Sequence, residues 1–323
     1  MNRPGKLRAL LATLRIANAP SVVSNVFLGY VVGFTLAGHH ATGHPDWHDV
    51  VLACMAGVLL YFSGNLANDW FDRRWDAEKR PERALPSGTF RPASYLASAV
   101  ILALAGTFFA FALNRFVGGT ALAIVLLIGV YTVFHKKARW AVIPMGLCRA
   151  ALYFLGFFAF WFGVNPLQWW FASPRTEAIP YLDTMAILGL GLFSYIAGLS
   201  LSARYEGMED APRGPKMISL AMLVLPLAAM SCMFIRRSPM EGLVGMIPFA
   251  VWLGLCLTVF RKPIPRYVSA LLAGIPLVDL IAMAPLALDH PRDSIHSEFT
   301  VFLAVPVAAF ILGRALQKLA PAT

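Results

Sequence analysis

Apolar residues run through this chain in long unbroken stretches separated by short polar segments, without the two-residue alternation that marks half-buried strands. Windows of about 20 mostly apolar residues are what a helix needs to cross a bilayer. They fall at approximately 20–38, 50–68, 94–113, 117–134, 142–163, 184–203, 217–235, 242–260, 267–288 and 299–316. In lipid every backbone N–H and C=O must be paired within the spanning element, and the strand periodicity of a membrane barrel is missing, so each run is expected to be a helix. The pattern predicts an all-α, polytopic transmembrane bundle formed as a single domain over residues 1–323.

The first run is too long, and too rich in Gly, Val and Phe, for a secretory signal, and no small-residue cleavage site follows it; it is expected to stay in the mature protein. Ahead of it, residues 1–19 place Leu7, Leu10, Leu11 and Leu14 at helical spacing with Lys6, Arg8 and Arg15 around them, the pattern of a helix lying in the membrane interface. Cys54, Cys148, Cys232 and Cys256 all fall inside apolar runs with no paired spacing, so they are expected to be small packed residues rather than disulfides or metal ligands.

Composition agrees with the pattern: 58% of the residues are hydrophobic and 14% charged, which excludes an ordinary soluble domain. The net charge of +10 needs no nucleic acid to explain it. Alternate connections carry Arg73, Arg74, Lys79, Arg80, Arg83 and Arg91, then Lys136, Lys137 and Arg139, then Arg204, Arg213 and Lys216, then Arg261, Lys262 and Arg266, and finally Arg314 and Lys318. The opposite face holds only Arg115, Arg175, Arg236, Arg237 and Arg292. Basic residues favour the cytoplasmic side and are drawn to anionic lipid, so both termini are expected in the cytosol of a multi-pass cell-membrane protein.

Acids on that basic face occur at two places, Asp69, Asp72, Asp76, Glu78 and Glu82 in the first and Glu206, Glu209 and Asp210 in the second. Four spans separate them. An even number of crossings returns the chain to the same side, so both clusters can meet over the mouth of one central cavity opening to the cytoplasm. Asn68, Asp72 and Asp76 recur every four residues, which on a continuing helix lines them along one stripe with Asp69 at its edge. Glu206 and Asp210 repeat the spacing. Carboxylates so placed repel one another until a hard cation joins them, and Mg²⁺ characteristically binds one or two carboxylates together with water and substrate phosphate oxygens. Arg80, Arg83, Lys136, Lys137, Arg213 and Lys216 are available on the same face for phosphate. A lipid diphosphate suits such a place, with its head at the interface and its tail in the bundle. The chemistry this implies is ionisation of an allylic carbon–diphosphate bond, assisted by metal and cations, in a site that excludes water. The aromatic faces of Tyr131, Tyr205 and Trp140 are candidates to stabilise the resulting cation.

These residues resemble the UbiA-type intramembrane prenyltransferases. The first family motif, N-D-x-x-D-x-x-x-D followed by R-x-x-R-P, is similar to Asn68, Asp69, Asp72 and Asp76 followed by Arg80 and Arg83, with Ala84 where Pro often stands. The second, D-x-x-[DE]-D-x-x-x-G-x-[KR], is similar to Glu206, Glu209, Asp210, Gly214 and Lys216, with Glu in the leading place. Tyr131 with Lys136 and Lys137 resembles a Tyr and Lys pair usual between the fourth and fifth helices, and the segment from Pro144 resembles the branch found in ebo gene clusters. The family pattern has nine helices, so the bundle is expected to hold nine or ten.

The resemblance implies Mg²⁺-dependent prenyl transfer from an isoprenyl diphosphate to an apolar, aromatic, lipophilic acceptor. Asn68, Asp72 and Asp76, supported by Asp69, would hold one metal; Glu206 and Asp210, supported by Glu209, would hold a second. Asp72, Asp76, Asp210 and Tyr131 are the expected catalytic residues, and Asn68, Arg80, Arg83, Lys136, Lys137, Tyr205 and Lys216 the expected substrate contacts. Alternatives sharing the same residues are cyclisation of the prenyl chain, transfer to a non-aromatic lipid, and a non-catalytic lipid transporter or scaffold. Plainer readings stand beside these: a solvated connector for the first acidic segment, a helix end and turn for the second, topology anchors for the lysines. Arg149 and Asp279 lie inside apolar runs, where an ionisable group is a functional candidate; for Asp279 hydrogen bonding between helices is expected. His39, His40, His44, Asp46 and His48 could gather a metal on the far face, but their irregular spacing in a Gly/Pro segment favours a solvated loop.

Overall fold

The structure, a computed structural model, describes residues 5–37, 45–136, 138–162, 181–206, 213–231, 239–288 and 296–320. Among these residues there are helices and turns and no strand. In chain order the α-helices are α1 (Lys6–Thr13), α2 (Ala19–Ala37), α3 (Trp47–Lys79), α4 (Pro92–Leu113), α5 (Arg115–Phe134), α6 (Val142–Phe162), α7 (Leu182–Glu206), α8 (Arg213–Ser231), α9 (Pro239–Thr258), α10 (Ile264–Ala273), α11 (Ile275–Leu288) and α12 (His296–Leu319). Among the described residues ten segments are long and apolar enough to cross a membrane, with α10 and α11 together forming one of them. The chain is therefore a multi-pass membrane protein, and its described residues hold ten candidate spans by length and composition, one more than the nine of the family pattern.

Two spans are enclosed by the others: the one beginning at Ile16 and the broken α10–α11 span are mostly buried, whereas α4, α5, α8, α9 and α12 turn most of their surface outward. Outward Leu104, Phe108, Leu126 and Ile311 are ordinary residues for a lipid-facing wall. Helix α2 is the hub, packed against α3, α6, α11 and α12. Its approach to α6 is so close that a Cβ on Gly29 would lie 1.9 Å from the Tyr153 carbonyl oxygen, and one on Gly156 would lie 1.9 Å from that of Val26. Only glycine lets the two backbones meet there, as is common where lipid supplies no hydrophobic drive for helices to associate.

Polar side chains stitch the same core. Ser63 Oγ donates to the Ala99 carbonyl at 2.7 Å, joining α3 to α4, and Asn114 both caps α5 and donates to the Phe158 carbonyl at 3.1 Å. Where α10 gives way to α11 at Gly274, a carbonyl of the last turn is taken up by Tyr195 OH, 2.7 Å from the Leu271 oxygen. Fully buried Asp279 on α11 accepts from Ser24 Oγ, Asn25 Nδ2 and Tyr153 OH, so the expected structural role of this carboxylate is what the fold displays. Cys54, Cys148 and Cys256 are free thiols, while Cys232 lies outside the described residues.

Candidate functional site

Helix α3 does not stop where its apolar run ends; it continues through Lys79, so Asp69, Asp72, Asp76 and Glu78 of the first acidic cluster sit on a helix, and Glu82 lies in the turn that follows. The four-residue spacing then operates as expected: Asn68, Asp72 and Asp76 are all buried on one side, Asp76 to 2% exposure, with Asp69 at the edge. The segment that follows folds back over this stripe. Leu85 packs with Leu66, Tyr95 and Ala99 into a small core of its own, which fixes the turn and brings the Arg83 guanidinium 2.9 Å from Asp76 Oδ2 and 3.6 Å from Asp69 Oδ1. Arg80 caps the helix end and lies over Trp75 at 5.8 Å.

Two further elements close on the stripe. At the end of α5, Lys136 Nζ is 2.9 Å from Asp72 Oδ1, and His135 Nε2 is 3.1 Å from Asp72 Oδ2, its ring stacked on Tyr131. Lys136 also rests on the Trp75 face at 3.7 Å. Between α1 and α2, Arg15 adopts a left-handed backbone with φ 49°, unusual for a residue with a Cβ and a local strain that its surroundings must hold in place. They do so through Tyr61 OH on the Arg15 carbonyl and Asn65 Nδ2 on the Leu14 carbonyl. The result aims Arg15 at Asn65 Oδ1, 3.0 Å away, and at Asp69 Oδ1, 3.6 Å away.

Behind these groups opens a cavity of about 460 Å³, within the usual range for small-molecule sites. Its mouth is polar, with Arg15, Asn68, Arg80, Arg83, Tyr131 and His135; its interior is apolar, with Leu60, Ile128, Leu152, Ile196 and Leu272. A second, more polar cavity of about 800 Å³ adjoins it beneath α1 and shares Arg15, Arg80 and Arg83.

The second acidic cluster is not placed: Glu209 and Asp210, like Lys137, lie outside the described residues, and Glu206 ends α7 with a side chain that is also outside them. Its approach is visible, however. Ala203 and Arg204, one turn earlier on α7, line the same cavity, and Arg204 Nη2 donates to the His135 carbonyl at 3.4 Å. Tyr205 is buried but does not line the cavity, and Lys216 is half-buried on the first turn of α8 without lining it. Trp140 corrects the expectation of a cation-stabilising ring: it is exposed and packs on Phe134, away from the cavity, because the short turn after α5 points it outward. On the far face, Asp46 and His48 gather with Asp49 near the start of α3, with Asp46 serving as the helix N-cap; His39, His40 and His44 lie outside the described residues.

The stripe retains spare acceptor capacity. Asn68 Oδ1, Asp69 Oδ1 and Asp76 Oδ1 are buried oxygens without a hydrogen-bond partner, a costly arrangement unless something else completes them. Oxygens from two neighbouring residues and from a third two turns further along the helix match the all-oxygen preference of a hard divalent cation. His135 and Arg15 are the residues that sequence reasoning missed. His135 stands four residues after Tyr131, one helical turn, which was a signal; nothing local marked Arg15.

Comparison with known proteins extends the picture. The model of the UbiA prenyltransferase family matches residues 26–288. A digeranylgeranylglyceryl phosphate synthase of Methanosarcina mazei is 24% identical over 289 residues, covering 87% of this chain and 86% of that protein. A 4-hydroxybenzoate octaprenyltransferase of a Janthinobacterium species is 29% identical over 133 residues, covering 40% and 46%. Among solved structures, one described as giving insights into digeranylgeranylglyceryl phosphate synthase in membranes superposes with a TM-score of 0.57 at 17% identity, over 96% of this chain and 99% of that one. The apo structure of a UbiA homolog from Aeropyrum pernix K1 superposes with a TM-score of 0.53 at 15% identity, over 93% and 98%. Both structural likenesses speak to the fold.

Proposed function

The chain belongs to the UbiA prenyltransferase family, and on that premise we propose that it moves the prenyl group of an isoprenyl diphosphate onto an apolar, aromatic acceptor, in a reaction that requires magnesium. The observation that carries this reading is the change of character along one cavity, from the polar mouth at Asn68, Arg80 and Arg83 to the apolar interior at Leu60, Leu152 and Ile196. An amphiphile with a strongly anionic head and a hydrocarbon tail is the ligand that such a gradient fits.

In this reading Asn68, Asp72 and Asp76, with Asp69 beside them, would hold one magnesium ion, and Glu206 and Asp210, with Glu209, would hold another. Bound magnesium would offset the negative charge that gathers on the departing diphosphate. Arg80, Arg83, Lys136, Lys137 and Lys216 take diphosphate oxygens. Arg83 and Lys136 sit on Asp76 and Asp72 at 2.9 Å, where each basic group would be within reach of a diphosphate and each carboxylate would be available to hold a metal ion. The Tyr131 ring presents its face to the allylic cation. Ile128, Ile196 and Leu272 keep water from it. The basic, site-bearing end of the bundle faces the cytosol, with both chain termini, in the cell membrane.

The relatives carry names that differ in acceptor, a glyceryl phosphate in one and 4-hydroxybenzoate in the other. Product analysis therefore tests the reading. Purified protein is incubated with Mg²⁺ and a series of prenyl diphosphates, with and without phenolic acceptors, while pyrophosphate is measured and products are identified by mass spectrometry. Acceptor-dependent pyrophosphate release with an alkylated aromatic product is expected. A cyclised hydrocarbon formed without acceptor, or lipid movement with the diphosphate intact, overturns it.

A further inference from the structure

Arg149 is a cation in the part of the cavity where a hydrocarbon tail needs none. It stands on α6 inside an apolar span, and its guanidinium lies 5.2 Å from the centre of the Tyr61 ring. Tyr61 and Asn68 are seven residues apart on α3, so the ring beside Arg149 is anchored about 10 Å along that helix from the start of the acidic stripe. Both residues line the same cavity.

The side chain is rigidly held. One terminal nitrogen, Nη1, donates to Ser21 Oγ at 3.0 Å and to Asn25 Oδ1 at 3.2 Å. The Asn25 amide passes the interaction on through Nδ2 to both oxygens of Asp279, each at 2.9 Å. Asp279 is itself completed by Ser24 and Tyr153, so it does not require Arg149 as a direct partner. A guanidinium has five N–H donors in a fixed plane. Two are used. The remaining three, on Nη2 and Nε, bond to none of the described residues. None of these nitrogens is among the buried side-chain atoms left without a partner, so the free edge opens to the cavity that Arg149 lines, where a ligand can complete it.

We infer that the Nη2–Nε edge of Arg149 is the acceptor subsite, and that it receives a planar two-oxygen head, a carboxylate, carried by the molecule to be prenylated. This rests on the donor reading above and specifies its second substrate. The free edge is the two-pronged side of the guanidinium, whose geometry matches a carboxylate. Tyr61 supplies a ring alongside, and the distance from the stripe keeps the acceptor's charge from competing with the diphosphate for Arg80, Arg83 and Lys136. Ser21 and Asn25 act as positioning residues, fixing the plane of the fork.

The test is equilibrium dialysis on full-length purified protein with Mg²⁺ and geranyl thiolodiphosphate, a poorly ionising donor analogue. The probes are radiolabelled 4-hydroxybenzoate and its uncharged methyl ester. The wild-type protein is expected to bind the acid about tenfold or more tightly than the ester, the difference a charge-assisted bidentate pair supplies. Arg149→Gln is expected to erase that preference while the donor analogue still binds. Should Arg149→Gln not purify as a monodisperse protein, Arg149→Lys keeps the charge without the fork and is expected to lose most of the preference. Equal binding of acid and ester by the wild type, no binding of the acid, or a preference that survives either substitution overturns the subsite. Failure of the wild type to bind the donor analogue counts instead against the donor reading.

Discussion

Removing the Asp279 carboxylate should unfold this protein far more readily than its small size suggests. In Asp279→Ala three donor groups lose their acceptor at once: Ser24 Oγ, now 2.5 Å away, Tyr153 OH at 2.6 Å and Asn25 Nδ2 at 2.9 Å from each oxygen. A buried donor left without a partner costs about 1–3 kcal/mol. Within a membrane the loss per group is smaller, roughly 0.6–1.7 kcal/mol, because the unfolded helices also find partners in the bilayer. Three groups give about 2–5 kcal/mol. The damage reaches further because Ser24 and Asn25 belong to the hub helix α2 and Tyr153 to α6. Asp279→Asn keeps one oxygen and places an amide against the other donors, so it should lose about half as much. Unfolding of purified protein by titrating SDS into mixed micelles measures both. A loss below about 0.5 kcal/mol in Asp279→Ala would show that the network does not hold α2, α6 and α11 together.

Other outcomes follow from the same packing and pairing. Gly156→Ala places a methyl group 1.9 Å from the Val26 carbonyl oxygen, so the variant should fail to accumulate in membranes, and wild-type yield by gel filtration would contradict the close crossing of α2 and α6. Asn65→Ala removes the bond at 3.0 Å that aims Arg15 and the one at 2.9 Å that restrains the Leu14 carbonyl; the donor KM should rise about tenfold with the fold intact, and an unchanged KM refutes a role for Arg15 at the mouth. Lys136→Met deletes the cation 2.9 Å from Asp72, and donor affinity should fall about tenfold or more, read as KM for the prenyl diphosphate at saturating Mg²⁺; equal KM values refute its contact with the diphosphate.

How much of this was visible in the sequence depended on the range of each interaction. Spans were legible because a bilayer demands an uninterrupted apolar length, and the stripe of Asn68, Asp72 and Asp76 because a helix repeats on a scale of four residues. Hydropathy alone ends the second span near residue 68, where the charged turns begin, although the same helix runs on to Lys79. The break at Gly274 was hidden in a run of even hydropathy, and the crossing at Gly29 and Gly156 involves residues more than a hundred positions apart. Arg15 looked like one more interfacial cation; it reaches the site only through a left-handed turn held by Asn65 and Tyr61 on another helix. Trp140 failed as a candidate for the opposite reason, since an aromatic residue at a helix end has no local pattern that says which way the following turn will face it. Arg149 and Asp279 announced themselves by charge in an apolar run, but only the fold separates the completed carboxylate from the guanidinium with donors to spare.

The central claim is that the α3 carboxylates and magnesium together hold and ionise a prenyl diphosphate. The most direct measurement is pyrophosphate release by wild type and Asp72→Ala across a magnesium titration, beginning from protein treated with EDTA. Activity in the wild type should be absent after EDTA and return with Mg²⁺, while Asp72→Ala, eluting as a folded protein, should stay inactive at every concentration. Release that ignores EDTA, or an Asp72→Ala titration that overlays the wild type, would contradict the account.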